Sequence, residues 1–191
     1  MSACIHRLCK GLIRMRICVT NRNLCSGDFF ETVSKACQTA DMVILREKDM
    51  SSTEYEKTAE TVQKICKDND TLFCINTFSD IAEKIKPDAL QLSYNDFIKY
   101  TKKEILTGVS VHSLSEALSA EKYGADFLIA GHIFETDCKK GLAPRGEKFL
   151  TEIVSNVEIP VYAIGGINPE NESEVYKWGA DGVCIMSGYM R

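Results

Sequence analysis

GADFLIAGH at residues 124–132 and GADGVCIMS at residues 179–187 carry one pattern twice: glycine, alanine, aspartate, then a short apolar run. Glycine suits the left-handed residue that ends a helix, and the apolar run starts almost at once, so each copy reads as a helix end feeding directly into a strand. Working outward from these copies, similar runs recur as MRICV at 15–19, DMVIL at 41–45, TLFCI at 71–75, DALQL at 88–92, EILTGVSV at 104–111 and PVYAI at 160–164. With DFLIA at 126–130 and DGVCI at 181–185 they make eight. Hydrophobicity within each run is continuous rather than alternating, which is expected where both faces of a strand are covered, as in a parallel sheet wrapped by helices.

The segments between the runs carry helix signals. Ser51-Ser52-Thr53-Glu54 and Ser113-Leu114-Ser115-Glu116 have the spacing of capping boxes, and Asn168-Pro169 places a good N-cap before proline at a first helical position. No linker rich in proline, glycine or serine divides the chain. Eight strands alternating with helices predict a closed (β/α)8 TIM barrel over residues 15–191 as a single domain, with an open doubly wound sheet as the alternative. Residues 1–14 read as a basic N-terminal extension in which His6, Arg7, Lys10 and Arg14 interrupt any secretory apolar core. Only Ser187 to Arg191 follow the eighth run, so the barrel is expected to lack its final helix, and a homodimer would cover the flank left open.

Composition narrows the function. A formal charge of −4 leaves no basic surplus to neutralise nucleic-acid phosphates, so nucleic acid is not an expected partner. No apolar stretch approaches the roughly 20 residues of a membrane span, and a membrane role is likewise not expected. The nine cysteines are odd in number and none stands in a C-x-x-C pair, which argues against a zinc site or a disulfide scaffold and for a reducing cytoplasm.

In a barrel of this kind the residues just after each strand converge on one face. These are Arg46, Glu47 and Lys48 after the second run, Asn76 after the third, Ser110 and His112 at the end of the fifth, Gly131-His132 after the sixth, Gly165-Gly166 after the seventh and Ser187-Gly188 after the eighth. The last two pairs offer backbone N–H groups of the kind that hold phosphate oxygens, or else make tight turns without a ligand. His132 is placed to act as an acid/base or as a hydrogen-bonded structural residue. His112 looks more like a residue setting the start of its helix. Arg46 and Lys48 suit an anionic group or a solvated face, and Lys139 and Lys140 are open in the same way. No cluster has metal-ligand spacing and no G-x-x-x-x-G-K-[ST] phosphate loop is present, so neither a tight metal nor an ATP-dependent reaction is expected.

The segments ICVTNR, ILREKD, INTFSD, GVSVHS, GHIFETDCKKG, IPVYAIGGINPEN and GADGVCIMSG together resemble the thiamine phosphate synthase/TenI superfamily of phosphate-binding barrels, from Met15 onward. Two activities compete within it. The resemblance implies for the synthase, which joins a pyrimidine diphosphate to a thiazole phosphate with magnesium, Asn-Asp after strand 3, a second aspartate after strand 4 and G-P-[IV]-F-x-T after strand 6. This chain has Asn76-Thr77, retains Asp96, and has His132 in place of the proline.

By resemblance to the thiazole tautomerase branch, the expected activity is therefore a cofactor-independent isomerase. It would aromatise a carboxylated dihydrothiazole-ylidene ethyl phosphate, with His132 as acid/base. Arg46, Lys48, Asn76, Ser110, Thr136 and Lys139 would contact substrate, and Gly165, Gly166, Ser187 and Gly188 would hold the phosphate of a small-molecule thiazole phosphate. The alternatives are a magnesium-dependent thiamine phosphate synthase and a non-catalytic regulatory protein that binds thiazole or thiamine phosphate.

Overall fold

A computed structural model describes residues 14–101, 104–136 and 141–191. Eight parallel strands, β1 (Met15–Val19), β2 (Met42–Leu45), β3 (Leu72–Asn76), β4 (Ala89–Ser93), β5 (Leu106–Val111), β6 (Phe127–Gly131), β7 (Val161–Ile164) and β8 (Gly182–Ile185), pair in chain order, and β8 closes on β1. The closed barrel predicted from the apolar runs is the one observed. The expected extension, residues 1–14, falls outside the described residues except for Arg14.

Continuous hydrophobicity has the anticipated cause. Met15, Ile17, Met42, Ile44, Cys74, Phe127, Ile129, Tyr162 and Cys184 fill the barrel interior. Their strand neighbours Cys18, Val43, Phe73, Leu90, Val109, Leu128 and Val183 pack outward against the helices. Each strand therefore buries both sets of side chains, and a polar residue on the inner set stands out as a departure from an otherwise dry core.

Several runs read from the sequence begin one residue before the observed strand, because the residue there is an aspartate with a different task. Asp41, Asp88, Asp126 and Asp181 immediately precede β2, β4, β6 and β8. Their carboxylates accept the backbone N–H of Arg16, Phe73, Thr107 and Val161 on β1, β3, β5 and β7, at 2.8, 2.9, 2.7 and 2.9 Å. Each aspartate also donates its own N–H to the carbonyl of the residue it clamps, at 2.8 to 3.0 Å. The two Gly-Ala-Asp copies are thus half of a fourfold device that ties every second strand to its predecessor at the barrel's N-terminal end.

Helices α1 (Phe29–Ala36), α2 (Ser52–Asp68), α3 (Ser79–Ile85), α4 (Tyr94–Phe97), α5 (Leu114–Lys122), α6 (Gly146–Val154), α7 (Glu172–Lys177) and α8 (Ser187–Met190) surround the barrel. Ser51 and Glu54 form both arms of the expected capping box on α2. At α5 the Ser113 hydroxyl accepts the Glu116 N–H, but the Glu116 carboxylate takes the N–H of His112 rather than that of Ser113, so the box closes one residue upstream.

Asn168 caps a turn rather than a helix: its side-chain oxygen accepts the N–H of Glu170 and Asn171 at 2.8 and 3.3 Å, and α7 begins only at Glu172. Gly124 and Gly179 end α5 and α7 with φ of +84° and +93°, as glycine alone does without strain. After β8 the chain forms one helical turn, α8, which buries Met190 and lies against α1. A full-length final helix is absent from the described residues, in line with the sequence expectation.

Candidate active site at the strand ends

The β1 and β2 ends form one hydrogen-bonded unit. Thr20 and Glu47 are buried, and the Thr20 hydroxyl donates to Glu47 Oε1 at 2.6 Å while accepting the N–H of Arg46 at 2.9 Å. Glu47 also receives the backbone N–H of Arg22 at 3.1 Å. The Arg22 guanidinium pairs with both oxygens of Asp49, at 2.6 and 2.9 Å, and reaches Glu47 at 3.3 Å. Asp49 is consequently held below the usual carboxylate range by Arg22, and Arg22 is raised by the same contact. Both carboxylates of this corner are thereby committed to Arg22, Thr20 and the loop backbone. The half-buried Arg46 guanidinium has no acceptor among the described residues, whereas Lys48 is exposed and has an interaction of its own. Local excess positive charge at the end of β2 therefore rests on Arg46.

A second unit crosses three strands. Asn76 and Gln91 face each other in the β3–β4 register, and Asn76 Nδ2 donates to Gln91 Oε1. Gln91 Nε2 in turn donates to Ser110 Oγ at 2.7 Å and to the Leu92 carbonyl at 2.9 Å. The buried Tyr55 hydroxyl on α2 donates to the Leu45 carbonyl at 2.5 Å and accepts the Asn76 N–H at 3.1 Å, fixing the end of β3 from outside the barrel. Asn76 and Ser110 were expected at the site; Gln91, which joins them, was missed. Its signal was an amide in the middle of the apolar run DALQL.

The β6 and β7 ends are wedged together. The N–H groups of Ile133 and Phe134 donate to the carbonyls of Ile164 and Gly165, each at 2.9 Å. Gly165 and Gly166 have φ of +106° and +67°, and a Cβ on them would lie 2.5 Å from His132 Cβ and 2.3 Å from the Glu135 carbonyl oxygen. Close approach of the β6 loop thus requires both glycines, which supplies a packing reason for the pair.

Their N–H groups, and those of Ser187 and Gly188, have no acceptor among the described residues. Because β7 and β8 are paired neighbours, the two amide sets emerge side by side. Thr136 is half-buried in the β6 loop, and Lys139 lies outside the described residues.

His132 is buried, and its Nε2 donates to the Leu142 carbonyl at 3.3 Å; the peptide preceding it is cis. His112 Nδ1 donates to the Gly131 carbonyl at 2.8 Å, so this residue fastens the β5 end to the β6 end as well as starting α5.

Among the described residues no three His, Cys, Asp or Glu side chains gather to hold a metal ion. Thr77 stands where the synthase pattern has its first aspartate, and its hydroxyl donates to Asn76 Oδ1 at 3.2 Å. Asp96 is exposed and accepts the Ser93 hydroxyl at 2.6 Å within the N-terminal turn of α4. No helix among the described residues is long and apolar enough to cross a membrane.

A family model described as thiamine monophosphate synthase matches residues 17–189. The chain is similar to a thiamine-phosphate synthase of Pyrococcus furiosus, 38% identical over 165 residues covering 84% of this chain and 80% of the relative. It is 34% identical to one from Fusobacterium nucleatum over 179 residues, 90% of this chain and 87% of the relative. A solved thiamine phosphate pyrophosphorylase from Pyrococcus furiosus superposes with a TM-score of 0.81 at 33% identity, covering 96% of this chain and 87% of that one.

These likenesses correct the expected activity. The similar chains are named as synthases, which are transferases, so the isomerase assignment is overturned. With it goes the acid/base role of His132 in ring aromatisation; the imidazole observed is bound to the Leu142 carbonyl.

Proposed function

Because the chain belongs to the thiamine monophosphate synthase family, we propose that it is a thiamine-phosphate synthase, transferring a pyrimidine from its diphosphate to a thiazole phosphate with release of diphosphate. The observation that carries this reading is identity of 34 to 38% to synthases across more than four fifths of the chain. The geometry supports a division of labour within it. Arg46, half-buried and without an acceptor among the described residues, meets charge developing on the departing diphosphate, assisted by Lys48. The amides of Gly165, Gly166, Ser187 and Gly188 take the thiazole phosphate. The Asn76–Gln91–Ser110 chain presents a fixed polar wall for a heterocycle, with Thr136 and Lys139 contributing from the β6 loop.

Magnesium, which the family resemblance implies for the synthase, does not fit a holder built from two protein carboxylates here. Thr77 supplies none, Glu47 and Asp49 are committed to Arg22, and Asp96 accepts the hydroxyl of Ser93, the N-cap of α4.

The test is direct. Purified protein incubated with the pyrimidine diphosphate and thiazole phosphate, with magnesium from zero to millimolar concentration, should form thiamine phosphate and diphosphate in equal amounts over many turnovers. Thiazole phosphate binding by calorimetry with no product at any magnesium concentration would replace this reading with the binding-protein alternative, which the loss of a carboxylate at Thr77 favours.

A further inference from the structure

We propose that Cys37 and Cys66 are a reversible redox site, joined into a disulfide by peroxide and reopened by thiol reductants. Their sulfurs lie 4.0 Å apart. Cys37 is the C-cap of α1 and Cys66 lies in the last turn of α2, two helices already held end to end by Gln38 Nε2 donating to Asn69 Oδ1 at 2.8 Å. A disulfide needs its sulfurs at about 2.05 Å, so side-chain rotation with a small shift of the helix ends closes the gap. The site is reachable, because Cys37 lines a cavity of about 310 Å³ at the N-terminal end of the barrel, together with Met15, Ala40, Asp41 and Asn69. That cavity lies opposite the candidate active site, so the inference does not rest on the synthase reading.

The two thiols differ in a way that assigns their roles. Hydrogen bonding from Cys66 draws the Cys37 thiol down, with Thr71 adding to the effect against partial burial. Cys66, with no exposed surface and beside Cys37, is pushed up. Because Cys37 lines the cavity and Cys66 has no exposed surface, Cys37 is the attacking thiolate and Cys66 the resolving thiol. Cys37 sulfur attacks one peroxide oxygen, the O–O bond breaks, and a sulfenic acid and hydroxide result. Cys66 sulfur then attacks Cys37 sulfur, the S–O bond breaks, and the Cys66 proton and the departing oxygen leave as water. Two thiols lose two electrons, and one peroxide becomes two waters. Cys18, fully buried in the same apolar layer with its thiol pushed up by desolvation, serves as the neighbouring control.

The full chain is treated with hydrogen peroxide, its remaining thiols are alkylated, and peptides are mapped without reduction. The expected result is a Cys37–Cys66 cross-linked peptide that disappears on adding dithiothreitol, accompanied by a Tm rise of about 5 °C from tying two helix ends across a loop. Cys66→Ala should abolish the rise and Cys18→Ala should retain it. Absence of that peptide from the oxidised wild-type chain, or a Tm rise of the same size in Cys66→Ala, overturns the proposal. Mapping the wild-type chain keeps the test decisive should either variant fold poorly.

Discussion

The two ends of the barrel are built by opposite rules. At the N-terminal end one device is used four times, an aspartate that clamps the preceding strand through both its carboxylate and its own N–H. At the C-terminal end the units differ: a carboxylate-buttressed arginine corner after β1 and β2, an amide chain on β3, β4 and β5, and a pair of crowded glycines after β7. Repetition marks the end that holds the strands in register. Irregularity marks the end where each polar group needs its own partner and its own target, which is where chemistry in such barrels resides.

That contrast is breakable. Its largest test is Arg46→Ala, which should lower kcat/KM for thiamine phosphate formation about 100-fold while leaving Tm essentially unchanged; an equal loss of stability would place Arg46 among the structural groups. Next is Asp181→Ala, where the buried Val161 N–H loses its acceptor. Removing a charged acceptor from a buried donor costs about 2 kcal/mol, so thermal melting should fall by about 6 °C for a chain of this size, with kcat unaltered at 20 °C.

A smaller effect is expected at Gln91→Leu, which strands Asn76 and Ser110. KM for one substrate should rise about tenfold, and steady-state kinetics with each substrate varied in turn identifies which. The smallest concerns the Arg22–Asp49 pair. Asp49 is held low by Arg22, so the pair is present at neutral pH and is lost only as pH falls through a midpoint below the ordinary aspartate value. Carboxyl-carbon NMR should show that depressed midpoint and its return toward about 3.9 in Arg22→Ala, with little change in global stability because the pair is exposed.

Legibility in the sequence followed locality. The helix stop at Gly124 and the Ser51–Glu54 box were readable because partners lie within a few residues, whereas the second arm of the Ser113 box, drawn to His112, and Asn168, which caps a turn, differed. Glu47 could not be read as a buttress, since its partner Thr20 is 27 residues away. Gln91 became meaningful only when the register set it opposite Asn76. The paired glycines at 165 and 166 suggested a phosphate turn, yet their crowding by His132 and Glu135 arises from a segment some thirty residues earlier in the chain. The isomerase activity expected from two motif positions, Thr77 and His132, gives way for a related reason, because similarity over most of the chain runs to the synthases.

The order of residues determined the barrel, because strand and helix periodicity, caps and turn glycines act through neighbours along the chain and eight similar units leave few ways to bury their apolar faces. Tertiary structure alone decided which polar side chains neutralise one another and which remain available. Glu47 is absorbed by Thr20 and Arg22, the Arg46 guanidinium keeps no acceptor among the described residues, and Cys37 is set against Cys66. Such pairings depend on distances between residues far apart in sequence, and those distances exist only once the barrel has closed.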